Sequence, residues 1–193
     1  MILQRINTRG GGVLLKFPCN EPRPGQCVAF DGKYFVIAHH FNGVGAVFTK
    51  PKSAIDLPHG THVDLSKPVG KGFNVEAIEL TPVIVTGGTG FAAGLSLLRH
   101  FYESKQDFRM VAYTRQPSQV DDVTGLLAVP RDDRLQTWNT QLLGRPAAPL
   151  DPLNISITAS TPVFFAGPKE LHEALRTDLD KRGLSDVTIR LNY

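Results

Sequence analysis

The sequence predicts a β plus α/β architecture: a small antiparallel β-barrel over residues 1–78, then a Rossmann-like, doubly wound parallel sheet over 79–193. Two observations carry this reading. Up to about residue 78, short runs rich in β-branched and aromatic residues are bounded by Gly, Pro, Asn or Asp, the spacing of a small barrel or sandwich. From about residue 79, apolar strand-like runs alternate with helical apolar spacing, which implies parallel strands joined by crossover helices.

In the first part the expected strands are Gly10–Phe17, Gly25–Phe30, Lys33–Phe41, Val44–Lys50 and Thr61–Ser66. "DGK" and "FNGVG" read as hairpin turns, because Asp-Gly and Asn-Gly tolerate the positive φ that tight hairpins need. In the second part "TPVIVTG" is an apolar strand. The following "FAAGLSLLRHFYESK" places Phe91, Leu95, Leu98 and Tyr102 at helical spacing. Phe108–Arg115 and Thr161–Pro168 read as further strands, Val123–Val129 is ambiguous, and Gly144–Pro152 is a proline-rich loop. Lys169–Gly183 is an amphipathic helix closed by Gly183, and Val187–Tyr193 is a last strand.

With 193 residues, 41% hydrophobic and 20% charged, the chain is globular in composition rather than disordered. A formal charge of +3 without a basic run points to no nucleic-acid partner. Two cysteines, Cys19 and Cys27, exclude an iron–sulfur cluster held by four cysteines of this chain and argue against a disulfide framework. No apolar run approaches the roughly 20 residues of a membrane helix, and no signal peptide is visible. The expectation is a protein of a reducing, cytoplasmic compartment.

The chemistry centres on "VTGGTG", Val85–Gly90, between a buried strand and a helix start. Glycines there let a ligand approach the backbone, and a helix N-terminus offers unpaired N–H groups to an anion. Plain strand–helix packing is the other use of the same residues. The full dinucleotide fingerprint is not matched by Gly88, Gly90 and Gly94, and the next strand ends in "YTR" rather than an acidic residue. An Arg at that place, Arg115, suits a 2′-phosphate and hence NADP(H), although a solvated surface charge reads the same way.

Four segments in order resemble the ferredoxin–NADP reductase family, especially compact members such as dihydroorotate dehydrogenase electron-transfer subunits. They are "PGQCV" (Pro24–Val28), "LPHGTHVDLSKPVGKGF" (Leu57–Phe73), "VTGGTGFAAGLSLLRHF" and "VFFAGPKELHEAL" (Val163–Leu175). "AYTR" is similar to the family's 2′-phosphate segment, and Tyr193 matches an aromatic chain end that covers the flavin in many members. The resemblance implies an NAD(P)H oxidoreductase passing electrons from NADPH through FAD or FMN to a small acceptor, an electron-acceptor protein or a partner subunit. It implies that Gly87, Gly88, Thr89 and Gly90 meet pyrophosphate, that Thr114 and Arg115 meet the 2′-phosphate, and that Ala166, Gly167 and Pro168 shape the nicotinamide end. On the flavin side it implies Lys33, Phe35 and Gly70, with Tyr193 as the catalytic aromatic.

The family's flavin signature, Arg-x-Tyr-Ser, falls on "KYFVIA", where Lys33, Phe35 and Val36 take the three places. Its Cys-Gly-Pro becomes Ala166-Gly167-Pro168, and its Ala-Pro after the glycine turn becomes Ala92-Ala93. These departures raise a second reading: a protein of this fold without flavin, acting as a nucleotide-responsive binding or scaffold module.

Other clusters predict less. His39-His40 and His59/His62 lack the companions of a metal site, so no metal is expected, and adjacent strand histidines point to opposite faces. Asp132 and Asp133 are a loop pair, Trp138 a packing residue, and His100 and His172 surface residues. Lys169 follows the "GP" turn, where it is either a phosphate contact or a plain exposed helix lysine.

Overall fold

The structure, a computed structural model, describes residues 2, 4–8, 12–49, 62, 64–76, 78–129 and 133–191. Strands β1 (Gln4–Asn7), β2 (Val13–Pro18), β3 (Cys27–Phe30), β4 (Lys33–Phe41) and β5 (Val44–Thr49) form an antiparallel, barrel-type sheet ordered β1-β2-β5-β4-β3. Both predicted hairpins are present. Asp31 and Gly32 have φ of 46° and 69°, and Asn42 and Gly43 have 48° and 75°, the paired positive φ of two-residue turns whose twist matches the strands.

Alternation gives this sheet two unlike faces. Val13, Leu15, Phe17, Val28, Ile37 and Val47 point into the barrel's own core, with Phe30 and Phe35 packed against it. Leu14, Ala38, Ala46 and Phe48 point the other way, into a larger core shared with the helical half. A bulge in β4 between Ile37 and His39 breaks strict alternation, so Ala38 and His39 both reach that shared side.

The second sheet contains β6 (Val83–Gly87), β7 (Arg109–Thr114), β8 (Leu135–Asn139), β9 (Val163–Ala166) and β10 (Ile189–Leu191), ordered β10-β9-β6-β7-β8 and parallel throughout. Helices α1 (Phe91–Glu103) and α2 (Pro117–Leu126) bury their apolar sides in the core shared with the barrel. Helix α3 (Lys169–Lys181) covers the opposite face through Leu171, Leu175 and Leu179. Helices on both faces make the sheet doubly wound, as expected. The strand order changes direction between β6 and β9, so a crevice opens beyond their C-terminal ends.

Close backbone packing sets how α1 lies. A Cβ on Gly94 would come within 2.6 Å of Thr86 Cγ2 and Met110 Cε, so glycine there lets the helix rest directly on β6 and β7. Gly25 N–H donates to Ser96 Oγ at 2.9 Å and ties the entry to β3 onto α1. Helix α3 ends as anticipated: Gly183, at φ 72°, and Leu184 donate to the carbonyls of Asp180 and Leu179, a Schellman closure.

Several sequence expectations need correcting. Asp64–Ser66, from the expected strand Thr61–Ser66, are not in a strand; Ser66 and Val69 instead donate to the carbonyls of Ala29 and Cys27 beside β3. Strands β1 and β8 and most of α2 went unanticipated. Polar "LQTWN" carries no apolar alternation; it becomes β8 only because it pairs along the edge of β7. The ambiguous Val123–Val129 contains the end of α2, whose start is set by Pro117 at the first helical position. The last strand is confined to Ile189–Leu191, and Asn192 and Tyr193 lie outside the described residues.

Candidate functional site

The C-terminal ends of β6, β7 and β9 bring the predicted nucleotide residues to one edge. Gly87 ends β6, and a single 3-10 turn, Gly88–Gly90, leads into α1. The three turn glycines do different work. Gly88 has φ 57° with nothing near its absent Cβ, so its conformation requires glycine while the space above stays open. Gly90 lies against the Ala166 carbonyl group, where a Cβ would collide with backbone. Gly87 faces Leu171 and Pro168, and a Cβ on it would sit 2.6 Å from Leu171 Cδ2. Packing and ligand access are thus divided between neighbouring residues.

The resulting edge is open and positively biased. The first turn of α1 has no side-chain cap and no acidic residue, which leaves its positive dipole end unopposed; the Phe91 N–H itself donates to the carbonyls of Gly88 and Thr89. Gly88, Thr89, Gly167 and Pro168 are exposed. Arg115 follows β7, is exposed, and has no hydrogen bond or ion pair among the described residues. Thr114 differs: it is buried, accepts the Gln116 N–H at 3.2 Å and donates to the Gln116 carbonyl at 3.3 Å. Its hydroxyl shapes the turn that presents Arg115. Lys169 is paired with Glu173 at 3.5 Å on the surface of α3.

The barrel residues lie differently. Lys33 is exposed at the hairpin end of β4, and Phe35 packs against the barrel's inner core. Val36 is on the opposite face, against the shared core, where Ala166 also packs. Gly70 is exposed, has φ 88° and accepts a hydrogen bond from Gln26 Nε2 at 2.8 Å. Tyr193 falls outside the described residues. The three signature places therefore offer one face a solvated cation and an inward ring, and the other an aliphatic side chain. They provide neither a phosphate clamp nor a hydrogen bond to a flavin ring, and these residues do not fit a gripped flavin.

Two further features were hidden in the sequence. His39, 9% exposed, receives Arg99 Nη1 at 2.9 Å across the barrel–helix junction, while Arg99 Nη2 meets Glu103 at 2.5 Å. An arginine can only donate, so His39 Nε2 accepts and the ring is neutral. Burial, then the Arg99 charge, lowers its pKa to about 4. His40 turns away, its Nε2 lying 3.1 Å from the Cys19 carbonyl, so the pair forms no joint site. His172 is not a simple surface residue: its Nε2 is buried and its ring lies 5.1 Å from that of Phe165. Among the described residues no group of three or more potential metal ligands occurs.

No protein-family profile matches the chain, and no curated protein sequence does. Solved structures do match over 98% of its length. A flavohemoglobin from Malassezia yamatoensis, with bound FAD and heme, shares 18% identity at a TM-score of 0.75. Phthalate dioxygenase reductase, described as a modular structure for electron transfer from pyridine nucleotides to [2Fe-2S], shares 17% at 0.75. The chain has the ferredoxin–NADP reductase fold. The FAD/NAD-binding domain of a nitric oxide dioxygenase from Vibrio cholerae shares 13% at 0.67 and is covered over 95% of its own length. The chain spans only 58% of the flavohemoglobin and 66% of the phthalate dioxygenase reductase. Among the described residues no helix is long and apolar enough to cross a membrane.

Proposed function

We propose that the chain is an NADPH-binding oxidoreductase module, with the nucleotide held by the α/β portion, residues 79–193, against the barrel portion, residues 1–78. The observation that carries this reading is the convergence of the Gly87–Gly90 and Ala166–Pro168 turns at the reversal of strand order, with unpaired Arg115 at the end of the neighbouring strand. The pyrophosphate lies over Gly88 at the positive end of the α1 dipole; Thr89 adds an exposed hydroxyl. Arg115 takes the 2′-phosphate through its guanidinium fork. Gly167 and Pro168 border the nicotinamide, which meets aliphatic Ala166 rather than a thiol. A redox partner, either a small acceptor or another protein, approaches from the barrel side.

A second reading, a nucleotide-responsive module that takes no flavin, is favoured by Val36 and Ala166. Both places that carry polar atoms in the resembled family are aliphatic here and pack on one apolar core. Titration of the purified chain with NADPH and NADH tests the nucleotide half; failure to bind either sinks it. Addition of FAD or FMN, then anaerobic NADPH, separates the readings. Flavin uptake with bleaching supports the oxidoreductase, and a colourless protein that takes up neither flavin decides for the second reading.

A further inference from the structure

Polar contacts help seat the barrel on the α/β portion, and one of them titrates. Gly25 N–H donates to Ser96 Oγ at 2.9 Å, Arg190 Nη1 donates to the Asn74 carbonyl at 2.6 Å, and Arg99 Nη1 donates to His39 Nε2 at 2.9 Å. A hydroxyl, a carbonyl and a guanidinium keep their charge state between pH 7.5 and 5; an imidazole does not. The third contact depends on a local irregularity. Among the barrel strands β4 lies against α1, and the bulge between Ile37 and His39 turns this imidazole onto the helix.

Arg99 keeps partners when His39 is lost to it. Its Nε and Nη2 already meet the Glu103 carboxylate at 2.6 and 2.5 Å, and its guanidinium lies 5.2 Å from the centre of the exposed Phe41 ring. Losing the imidazole therefore leaves the guanidinium paired, whereas a protonated imidazole regains water only by moving away from α1. Burial disfavours a proton on His39, and so do Arg99 on α1, His40 beside it on β4 and Lys16 on β2; Glu103 on α1 favours one. On β5 the residue opposite His39 is Ala46, uncharged and, like neighbouring Ala38, small. Exposing these two methyl groups costs little apolar burial at the place where the imidazole would part from the helix.

We propose that the His39–Arg99 contact is a pH-sensitive latch: neutral His39 holds the barrel seated on α1, and a proton on it leaves Arg99 to Glu103 and lets the two portions part locally while both sheets stay folded. The opening is sub-global, because α1 remains on the parallel sheet, where Gly94 rests on Thr86 and Met110. An unseated imidazole takes its proton near pH 6.5 and the seated one near 4, so acid favours the parted form. Between pH 7.5 and 5 that difference raises the opening equilibrium about twenty-five-fold. Val36 of the barrel and Ala166 beside the nucleotide turns pack on the same shared core, so the latch sets how closely the barrel approaches the candidate site. It stands independently of the nucleotide reading.

The test is labelling of buried thiols in the full chain with a pyridyl disulfide at pH 7.5 and 5, in a Cys19→Ser, Cys27→Ser background. Ala46→Cys reports the junction, and Val187→Cys, in the core beneath α3, reports global unfolding. Rates are taken relative to the urea-unfolded chain at the same pH, which removes the pH dependence of the thiol itself. Expected are faster labelling of Ala46→Cys than of Val187→Cys at both pH values, a rise of about twenty-five-fold in junction opening at pH 5, and loss of that rise when His39→Gln is added. The latch is overturned if the two positions label alike, if junction opening changes less than about threefold with pH, or if His39→Gln keeps the rise. Should Ala46→Cys not fold, Ala93→Cys on α1 reads the same junction from the other side.

Discussion

Lowering pH from 7.5 to 5 should destabilise this protein chiefly through His39, with His100, whose pKa burial also lowers, acting in the same direction. The His39 pKa falls from an unfolded value near 6.5 to about 4, chiefly by burial and then by the Arg99 charge; Lys16 and His40 act in the same direction and Glu103 opposes them. The folded state thus binds fewer protons than the unfolded state between these values. The contribution of neutral His39 is complete above about pH 6.5 and is lost progressively as pH falls toward 4. At 1.36 kcal/mol per pKa unit, the loss reaches about 2 kcal/mol at pH 5 and about 3 kcal/mol below pH 4. Protonation would also set an imidazolium against the Arg99 guanidinium at 2.9 Å, opening the junction between β4 and α1. Urea unfolding of wild type and His39→Gln at pH 7.5 and 5 measures this. Glutamine retains an acceptor for Arg99 but does not titrate, so the variant should lose about 2 kcal/mol less than wild type on acidification. Equal losses, within about 0.5 kcal/mol, would show that His39 is not the buried neutral base described.

Other changes probe the nucleotide edge and the packing beneath it. Arg115→Ala should weaken NADPH at least tenfold, the loss of a charge-assisted contact, while leaving NADH nearly unchanged in calorimetric titration; equal effects would remove the 2′-phosphate role. Gly90→Ala drives a Cβ into the Ala166 backbone and should cost about 2 kcal/mol or more, read as a lowered Tm together with weakened nucleotide binding. Asp178→Ala removes a buried carboxylate that accepts Leu150 N–H at 2.9 Å and pairs with Arg182 Nε at 2.7 Å, so thermal unfolding should show a loss of about 3 kcal/mol. Gly32→Ala places a side chain at φ 69° and should destabilise by about 1 kcal/mol.

Features that rest on local chemistry were legible in the amino-acid order. Asp-Gly and Asn-Gly set two hairpins, Gly183 closed α3, and the strand–glycine–helix run placed a phosphate-type turn ahead of an apolar helix. These depend on φ preferences and side-chain periodicity within a few residues. The order of strands and helices likewise announced an antiparallel unit before a parallel one. Edge elements were illegible for the converse reason: β8 is polar and pairs on one side only, and α2 shows little apolar periodicity.

What each predicted site residue faces depends on contacts between segments far apart in the chain. The label "flavin position" attached to Phe35 by likeness, yet hairpin register and the inner core of β3 turn that ring into the barrel and expose Tyr34 instead. Gly90 looked like a ligand glycine and proves to be the contact between two turns, whereas Gly88 carries the open space. His39 looked like one of a histidine pair, and a bulge in β4 aims it at an arginine sixty residues away. In each case direction depends on pairing and packing between distant segments, and a one-residue change of phase reverses the face of a strand.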